Sequence, residues 1–138
     1  MASTSVSKII PAPPDRVWQL IGGFDSLPDW LPFIPSSTPQ EGGRVRRLNN
    51  PDGEVILERL IDFSETDRYY SYAILQAPFP VGDYLSTLRV HTVAGKPDES
   101  EVQWSGRFTA VNASEDDVIA LFTGIYQDGL DALHKALS

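Results

Sequence analysis

The sequence contains no cysteine and only two histidines, His91 and His134, which lie far apart in the 138-residue chain. The lack of thiols excludes disulfides and thiolate metal ligands, and two distant histidines do not form a metal-binding cluster. We therefore expect neither a metal ion nor another cofactor. Neither histidine has an evident partner that would orient it as a base, so we assign them no role in nucleophilic catalysis.

Positive charge and long apolar runs are also scarce. The 11 Lys and Arg residues stand against 19 Asp and Glu residues, which gives a net charge of -8. Because phosphate backbones are bound by clustered Lys and Arg, we predict no nucleic-acid binding. We interpret the one basic cluster, Arg44, Arg46 and Arg47, as a solvated strand face.

No apolar run approaches the ~18 residues of a membrane span, and "MASTSVSK" does not have the pattern of a signal peptide. We expect a cytoplasmic protein without stable membrane insertion.

The chain length and its hydrophobic content of 41% indicate one domain over residues 1–138. Residues 6–10 fit a first strand. The segment "APPDRVWQLIGGF" has prolines at its start, apolar residues at helical spacing and a Gly-Gly stop, which predicts a helix. The prolines of "DSLPDWLPFIPSSTP" then allow only short helical turns before an extended segment.

From about Gly43 onward, the apolar residues recur with a period of two. The segments "RVRRL", "EVILERLIDF", "RYYSYAIL", "DYLSTLRVHTV" and "SEVQWSGRFTAV" are separated by turn sequences, which predicts consecutive antiparallel strands. After Ser114, a candidate N-cap, apolar residues recur every three or four positions and predict one long C-terminal helix. The pattern indicates an α+β fold in which the sheet buries one face against this helix.

Alternation along the strands assigns the sheet face that meets the helix. A dry core on this face would leave a glutamate, several tyrosine hydroxyls and a serine unpaired, at about 1–3 kcal/mol for each group. A cleft that holds water or a ligand would satisfy them, whereas an ordinary filled core is the alternative. The inner face consists of Ile56, Glu58, Leu60, Tyr70, Tyr72, Ile74, Tyr84, Ser86, Leu88, Val102, Trp104, Gly106 and Phe108, and Arg59, Arg89, Gln103 and Arg107 point the other way.

This order of elements resembles the helix-grip fold of the START-like superfamily, also called the Bet v 1-like or SRPBCC group. The stretches "DSLPDWLPFI", "QEGGRVRRL", "ERLIDF", "YYSYAIL", "PVGDYLSTLRV" and "VQWSGRF" are similar to bacterial members described as polyketide cyclase/dehydrase and lipid-transport proteins. The resemblance covers nearly the whole chain. It implies a curved antiparallel sheet that grips the C-terminal helix, two short helices after the first strand, and a small hydrophobic ligand that is polyketide-, isoprenoid- or lipid-like.

A more distant resemblance links the chain to the plant abscisic-acid receptors. Their pocket glutamate matches Glu58, two further pocket residues match Tyr72 and Ile74, and a pocket tyrosine and serine match Tyr84 and Ser86. This agreement implies the same inner face that alternation assigns.

The departures from these receptors concern the parts that sense the hormone. Their carboxylate-binding lysine falls on Leu31, their gate falls on residues 49–53, and their latch falls on residues 79–81. We therefore expect no hormone sensing by such a gate and latch. Because no lysine is evident at the pocket position and Glu58 would repel a carboxylate, we expect a neutral or weakly polar ligand.

The predicted ligand-binding residues come from the inner sheet face, the proline-rich corner, the loop 78–82 and the apolar side of the C-terminal helix. Loops 49–53 and 78–82 flank the expected mouth, and we hypothesise that Pro51, Phe79 and Val81 act as lids. The full set is Trp30, Phe33, Ile56, Glu58, Tyr72, Ile74, Phe79, Val81, Tyr84, Ser86, Trp104, Phe108, Leu121, Phe122 and Ile125.

Three functions are compatible with this reading. The first is a carrier or sensor that encloses a small hydrophobic molecule. The second is a cyclase/dehydrase-type enzyme in which Glu58 acts as general acid or base, helped by a tyrosine hydroxyl. The third is a domain whose core is filled and whose surface binds other proteins. Two other roles of Glu58 stay open beside catalysis. It anchors a polar group of the ligand, or it pairs with an arginine and stabilises the sheet.

Overall fold

The computed structural model describes residues 1–138 and contains seven strands and two α-helices. Short 3-10 turns lie at Leu27–Asp29 and Glu41–Gly43. In chain order, the elements are β1 (Ala2–Ile10), α1 (Pro14–Ile21), β2 (Ser36–Gln40), β3 (Val45–Asn49), β4 (Val55–Ser64), β5 (Tyr69–Gln76), β6 (Val81–Thr92), β7 (Ser100–Ala110) and α2 (Glu115–Ala136).

The strands form one antiparallel sheet in the order β1-β7-β6-β5-β4-β3-β2. The predicted meander runs from β2 to β7, and β1 returns to pair with β7, so that Val6 lies opposite Trp104. Register shifts interrupt the β4–β5 pairing at Leu57/Glu58 and at Leu60/Asp62. Such irregularities bend a strand and increase its twist, which helps the sheet curve around α2.

The two helices begin and end at the predicted signals. Helix α1 follows Pro13 and ends at Ile21, directly before Gly22. Helix α2 is capped by Ser114, whose side-chain oxygen accepts a hydrogen bond of 3.1 Å from the Asp117 backbone N–H, and acidic residues fill its first turn. No helix in the structure combines the length and the apolar character needed to cross a lipid bilayer.

The hydrophobic core lies between the concave face of the sheet and α2. Leu88, Val102 and Phe108 of the sheet and Leu130 and Leu133 of the helix are completely buried. The predicted inner face is confirmed, with Leu60 and Ile74 only partly buried, and Arg107 is exposed on the opposite face as expected. The predicted α+β architecture of a sheet gripping a C-terminal helix is therefore confirmed.

Sheet and helix interlock through two large rings and two glycines. The Trp104 ring of β7 packs over Gly129 of α2, and a Cβ atom at Gly129 would lie 2.5 Å from that ring. In return, the Tyr126 hydroxyl of α2 lies over Gly106 of β7, where a Cβ atom would overlap it. The Trp104 and Tyr126 rings stack on each other, with centroids 5.0 Å apart. Each glycine thus makes room for the ring of the opposite element.

We expect Gly129→Ala to lower the free energy of unfolding by about 1–3 kcal/mol, because the new methyl group overpacks against Trp104. The matched control is Gly124→Ala in the same helix, where no atom lies within 4 Å of the added Cβ. This control is expected to stabilise the protein by up to about 1 kcal/mol, since alanine favours a helix more than glycine does. Urea denaturation measures both values, and equal effects of the two substitutions would contradict the interlocking contact.

Candidate functional site

A cavity of about 170 Å³ lies between the concave face of the sheet and α2. Its walls come from the proline-rich corner, from strands β3 to β7, from the loops after β3 and β5, and from the middle of α2. The lining residues are Leu27, Leu31, Phe33, Ile34, Arg46, Leu48, Asn50, Pro51, Ile56, Glu58, Tyr72, Ile74, Phe79, Tyr84, Trp104, Phe122, Ile125 and Tyr126.

Most of the predicted ligand-binding residues meet in this one cavity. Alternation along a strand brings together side chains of the same face, and the helix closes the space above them. The predicted residues in the walls are Phe33, Ile56, Glu58, Tyr72, Ile74, Phe79, Tyr84, Trp104, Phe122 and Ile125.

Five of the predicted residues, however, do not line the cavity. Ser86 and Phe108 face the core but are covered by larger side chains, since Trp104 Nε1 donates to Ser86 Oγ and Phe108 stacks on Tyr84. Trp30 packs behind Trp104, with ring centroids 5.9 Å apart. Val81 is half-buried at the start of β6, and Leu121 faces solvent with 37% of its surface exposed. The helical pattern could not separate Leu121 from its buried neighbours.

The basic cluster is not the solvated strand face that we predicted, because one of its three arginines is buried. Arg44 and Arg47 are exposed, but Arg46 is only 1% exposed and lines the cavity. The register pairs Arg46 directly with Glu58, so both side chains lie on the inner face. The signal was present in the sequence, because Arg46 and Leu48 are two residues apart in one strand and share a side.

The buried ion pair between Arg46 and Glu58 is the charged part of the cavity wall. Arg46 Nε donates to Glu58 Oε1 at 2.8 Å, and Nη2 lies 2.7 Å from the same oxygen. Arg46 Nη1 donates to the Phe24 carbonyl oxygen at 2.8 Å and to the Tyr70 hydroxyl at 3.2 Å. The guanidinium carbon also lies 4.2 Å from the Phe24 ring centroid and 4.8 Å from that of Tyr72. These contacts hold the arginine side chain in one position.

Burial governs the protonation of this pair. It raises the pKa of the Glu58 carboxyl above its ordinary value, and the Arg46 charge partly offsets that rise. Burial alone would lower the pKa of Arg46, but the neighbouring Tyr70 and Glu58 outweigh it and raise that pKa. Because the two charges neutralise each other, the cavity offers no unpaired counter-ion to a charged ligand.

A network of buried hydroxyl groups forms the second polar part of the site. Trp104 Nε1 donates to the Tyr72 hydroxyl and to Ser86 Oγ, each at 3.1 Å. The hydroxyl oxygens of Tyr84 and Tyr126 are 2.5 Å apart. Burial raises the pKa of Tyr72 and Tyr84 well above the usual range and that of Tyr126 to about 12, so all three stay protonated near neutral pH. They are hydrogen-bonding groups rather than bases.

Sequence reasoning missed Tyr126, although the helical pattern could have found it. Tyr126 lies four residues after Phe122 and four before Leu130, which places all three on the buried face of α2. No cluster of three or more His, Asp or Glu side chains in the structure is placed to hold a metal ion.

Residues 1–138 match the family model described as polyketide cyclase / dehydrase and lipid transport. The chain belongs to this family. No curated protein matches the chain.

Several solved structures share the fold over almost the whole chain. The protein XoxI from Bacillus cereus is 56% identical, with a TM-score of 0.96 over 99% of this chain and 96% of its own. A putative uncharacterized protein from Bacillus thuringiensis is 55% identical, with a TM-score of 0.96 and coverage of 99% and 98%. A START superfamily protein from Mycobacterium smegmatis is 15% identical, with a TM-score of 0.80 and coverage of 99% and 97%. The last likeness concerns the fold alone and confirms the predicted START-like helix-grip architecture.

We expect Arg46→Met to lower the free energy of unfolding by about 3–5 kcal/mol, because it leaves the Glu58 carboxylate buried without its counter-ion. Glu58→Leu should have a similar cost, since it leaves the Arg46 charge unpaired. The double variant Arg46→Met/Glu58→Leu is expected to be more stable than the sum of the single losses predicts. Urea denaturation of the four proteins measures this coupling, and strictly additive losses would contradict it.

Proposed function

We propose that the chain binds one small, neutral, mainly apolar molecule in the cavity between the sheet and α2, as a carrier or sensor. The supporting observation is the composition of the cavity wall. Hydrophobic residues make up 14 of the 18 lining residues, and its two charges, Arg46 and Glu58, pair with each other. An apolar cavity with a few convergent polar groups is typical of small-molecule sites.

The cavity volume limits the size of the ligand. About 170 Å³ is close to the ~150 Å³ of an engineered apolar cavity in another protein that accommodates benzene. A molecule with one aromatic ring or a short branched chain therefore fits without large movement of the walls. A long acyl chain or a fused multi-ring polyketide requires wall residues to move outward.

The entrance is proposed to lie between loops 49–53 and 78–82. Pro51 and Phe79 both line the cavity, and Pro51 is exposed while Phe79 is partly exposed. The Phe79 ring packs edge-on against Phe122 of α2, with centroids 5.5 Å apart. Outward rotation of Phe79 would open the cavity, so these two residues retain the lid role that we hypothesised from the sequence, whereas Val81 lies outside the cavity wall.

The family supports binding more directly than catalysis. The family description joins polyketide cyclases and dehydrases with lipid transport, and both activities begin by enclosing a hydrophobic molecule. A cavity wall with several positioned acids and bases would favour an enzyme. Here, however, the buried tyrosines are held protonated and Arg46 is engaged in an ion pair.

One observation favours a cyclase/dehydrase-type enzyme as the second candidate function. Glu58 lines the cavity, and its hydrogen bond from Arg46 goes to Oε1, which leaves Oε2 without a protein donor. Burial raises the pKa of this carboxyl above its ordinary value, which is the direction that a general acid requires. Glu58 is therefore the candidate general acid or base of a cyclase/dehydrase-type reaction.

The binding function predicts that filling the cavity abolishes ligand uptake. Ile125→Trp places a larger side chain in the cavity wall, whereas Ile119→Trp introduces the same change at a partly buried position of α2 outside the cavity. We expect toluene to shift backbone amide resonances of the wild type and of Ile119→Trp but not of Ile125→Trp. Native mass spectrometry of freshly purified protein should show the same pattern for any copurified molecule. Equal toluene binding by both variants would place the ligand elsewhere.

The two candidate functions differ in whether Glu58 moves a proton of the bound molecule. Acetophenone, a one-ring ketone, reports this because a general base accelerates exchange of its α-protons in D₂O. We expect the exchange rate to be the same with wild type, with Glu58→Gln and in buffer, as measured by proton NMR. Acceleration by the wild type that Glu58→Gln removes would establish the enzyme instead, provided that thermal unfolding shows the variant to be folded.

A further inference from the structure

The buried hydroxyl groups near the cavity form a chain whose hydrogen bonds run in one direction. At one end, Ser86 Oγ lies 2.8 Å from the Ser105 carbonyl oxygen. A carbonyl oxygen has no proton and only accepts, so Ser86 must donate its single hydroxyl proton there. Ser86 consequently has no proton left for any other neighbour.

The remaining neighbours of Ser86 must therefore donate to it. Trp104 Nε1, which is a donor only, approaches Ser86 Oγ at 3.1 Å. The Tyr126 hydroxyl donates to the same oxygen at 3.3 Å. With its proton used in this way, Tyr126 must accept in its 2.5 Å hydrogen bond with Tyr84, so Tyr84 is the donor of that pair.

The direction of the chain determines what Tyr84 presents to a ligand. Its hydroxyl proton points at Tyr126, and because the Ser86 proton is committed to the Ser105 carbonyl oxygen, the lone pairs of Tyr84 Oη receive no proton from the hydroxyl chain. Tyr84 lines the cavity and only 5% of its surface is exposed, so its hydroxyl group is largely shielded from bulk solvent. Donation to Tyr126 also polarises the Tyr84 oxygen and makes it a better acceptor.

We propose that Tyr84 Oη is a fixed hydrogen-bond acceptor in the cavity and that the ligand is a small aromatic molecule whose hydroxyl group donates to it, a compound of the phenol class. This inference rests on the proposed binding function. It deepens that function by naming the polar group of the ligand and the atom that recognises it.

The surroundings of Tyr84 favour an aromatic and uncharged molecule. Its ring is held by a stacked contact with Phe108 at 6.0 Å and a tilted contact with Phe122 at 5.0 Å, which fix the position of the hydroxyl. Phe33, Phe79, Trp104 and other aromatic side chains line the same space. Aromatic rings pack favourably against one another, and the ion pair of Arg46 and Glu58 has no net charge that would attract a phenolate or a carboxylate.

The test compares three one-ring probes that differ only in their polar group. Phenol has a donor, benzonitrile has an acceptor only, and toluene has neither. Amide chemical-shift titrations give the dissociation constants for the wild type, Tyr84→Phe and Tyr126→Phe. We compare the ratio of phenol affinity to toluene affinity within each protein. A change in cavity size or packing affects both probes, so it cancels in this ratio.

We expect the phenol-to-toluene affinity ratio to fall about tenfold in Tyr84→Phe, because the acceptor is lost. In Tyr126→Phe, the Tyr84 proton has lost its acceptor and is free to point into the cavity. The benzonitrile-to-toluene ratio should therefore rise about tenfold in this variant and stay unchanged in Tyr84→Phe. A purely structural role of the tyrosines would not reverse the preference in this way.

The possible failures can be told apart. If toluene binds to the wild type but the phenol ratio is the same in the wild type and in Tyr84→Phe, the proposed acceptor is wrong and the cavity function stands. If none of the three probes binds to the wild type, both the acceptor and the binding function are overturned. Should Tyr126→Phe fail to fold, the phenol ratio in Tyr84→Phe decides alone.

Discussion

The interlocking of Trp104 and Tyr126 with the two glycines opposite them sets the geometry of the whole molecule. Because Gly129 admits the indole ring and Gly106 admits the phenol hydroxyl, sheet and helix approach closely at this point. Leu88 and Val102 of the inner face are completely buried in the core, whereas other side chains of the same face line the cavity. Trp104 and Tyr126 also line that cavity, so one contact positions both the helix and the site.

The fold could be predicted because its signals are local. A period of two with turn residues between the segments specified the meander, and Ser114 with its acidic neighbours specified the start of α2. The return of β1 to pair with β7 did not follow from the periodicity, because strand pairing across the chain depends on contacts far apart in sequence. Alternation was sufficient to assign the inner face, since one face of this sheet is covered by the helix and the other is not.

The candidate site was only partly predictable because its key features are pairings between elements. Glu58 was identified as an inner residue, but the identity of its partner required the β3–β4 register that places Arg46 opposite it. A charged side chain in a basic stretch normally lies in solvent, and only a buried carboxylate and nearby rings make burial of Arg46 tolerable. The hydroxyl chain joins Tyr84 of β6 to Tyr126 of α2 across 42 positions of the sequence, a relation that no local pattern encodes.

The cavity also makes the molecule compressible in a predictable place. The volume decrease that proteins show on unfolding scales with the internal space that unfolding eliminates, and the cavity of about 170 Å³ contributes to that space. Hydrostatic pressure therefore favours states in which water enters between the sheet and α2. A molecule enclosed there would oppose this effect, so the mechanical stiffness of the fold is linked to the occupancy of its interior.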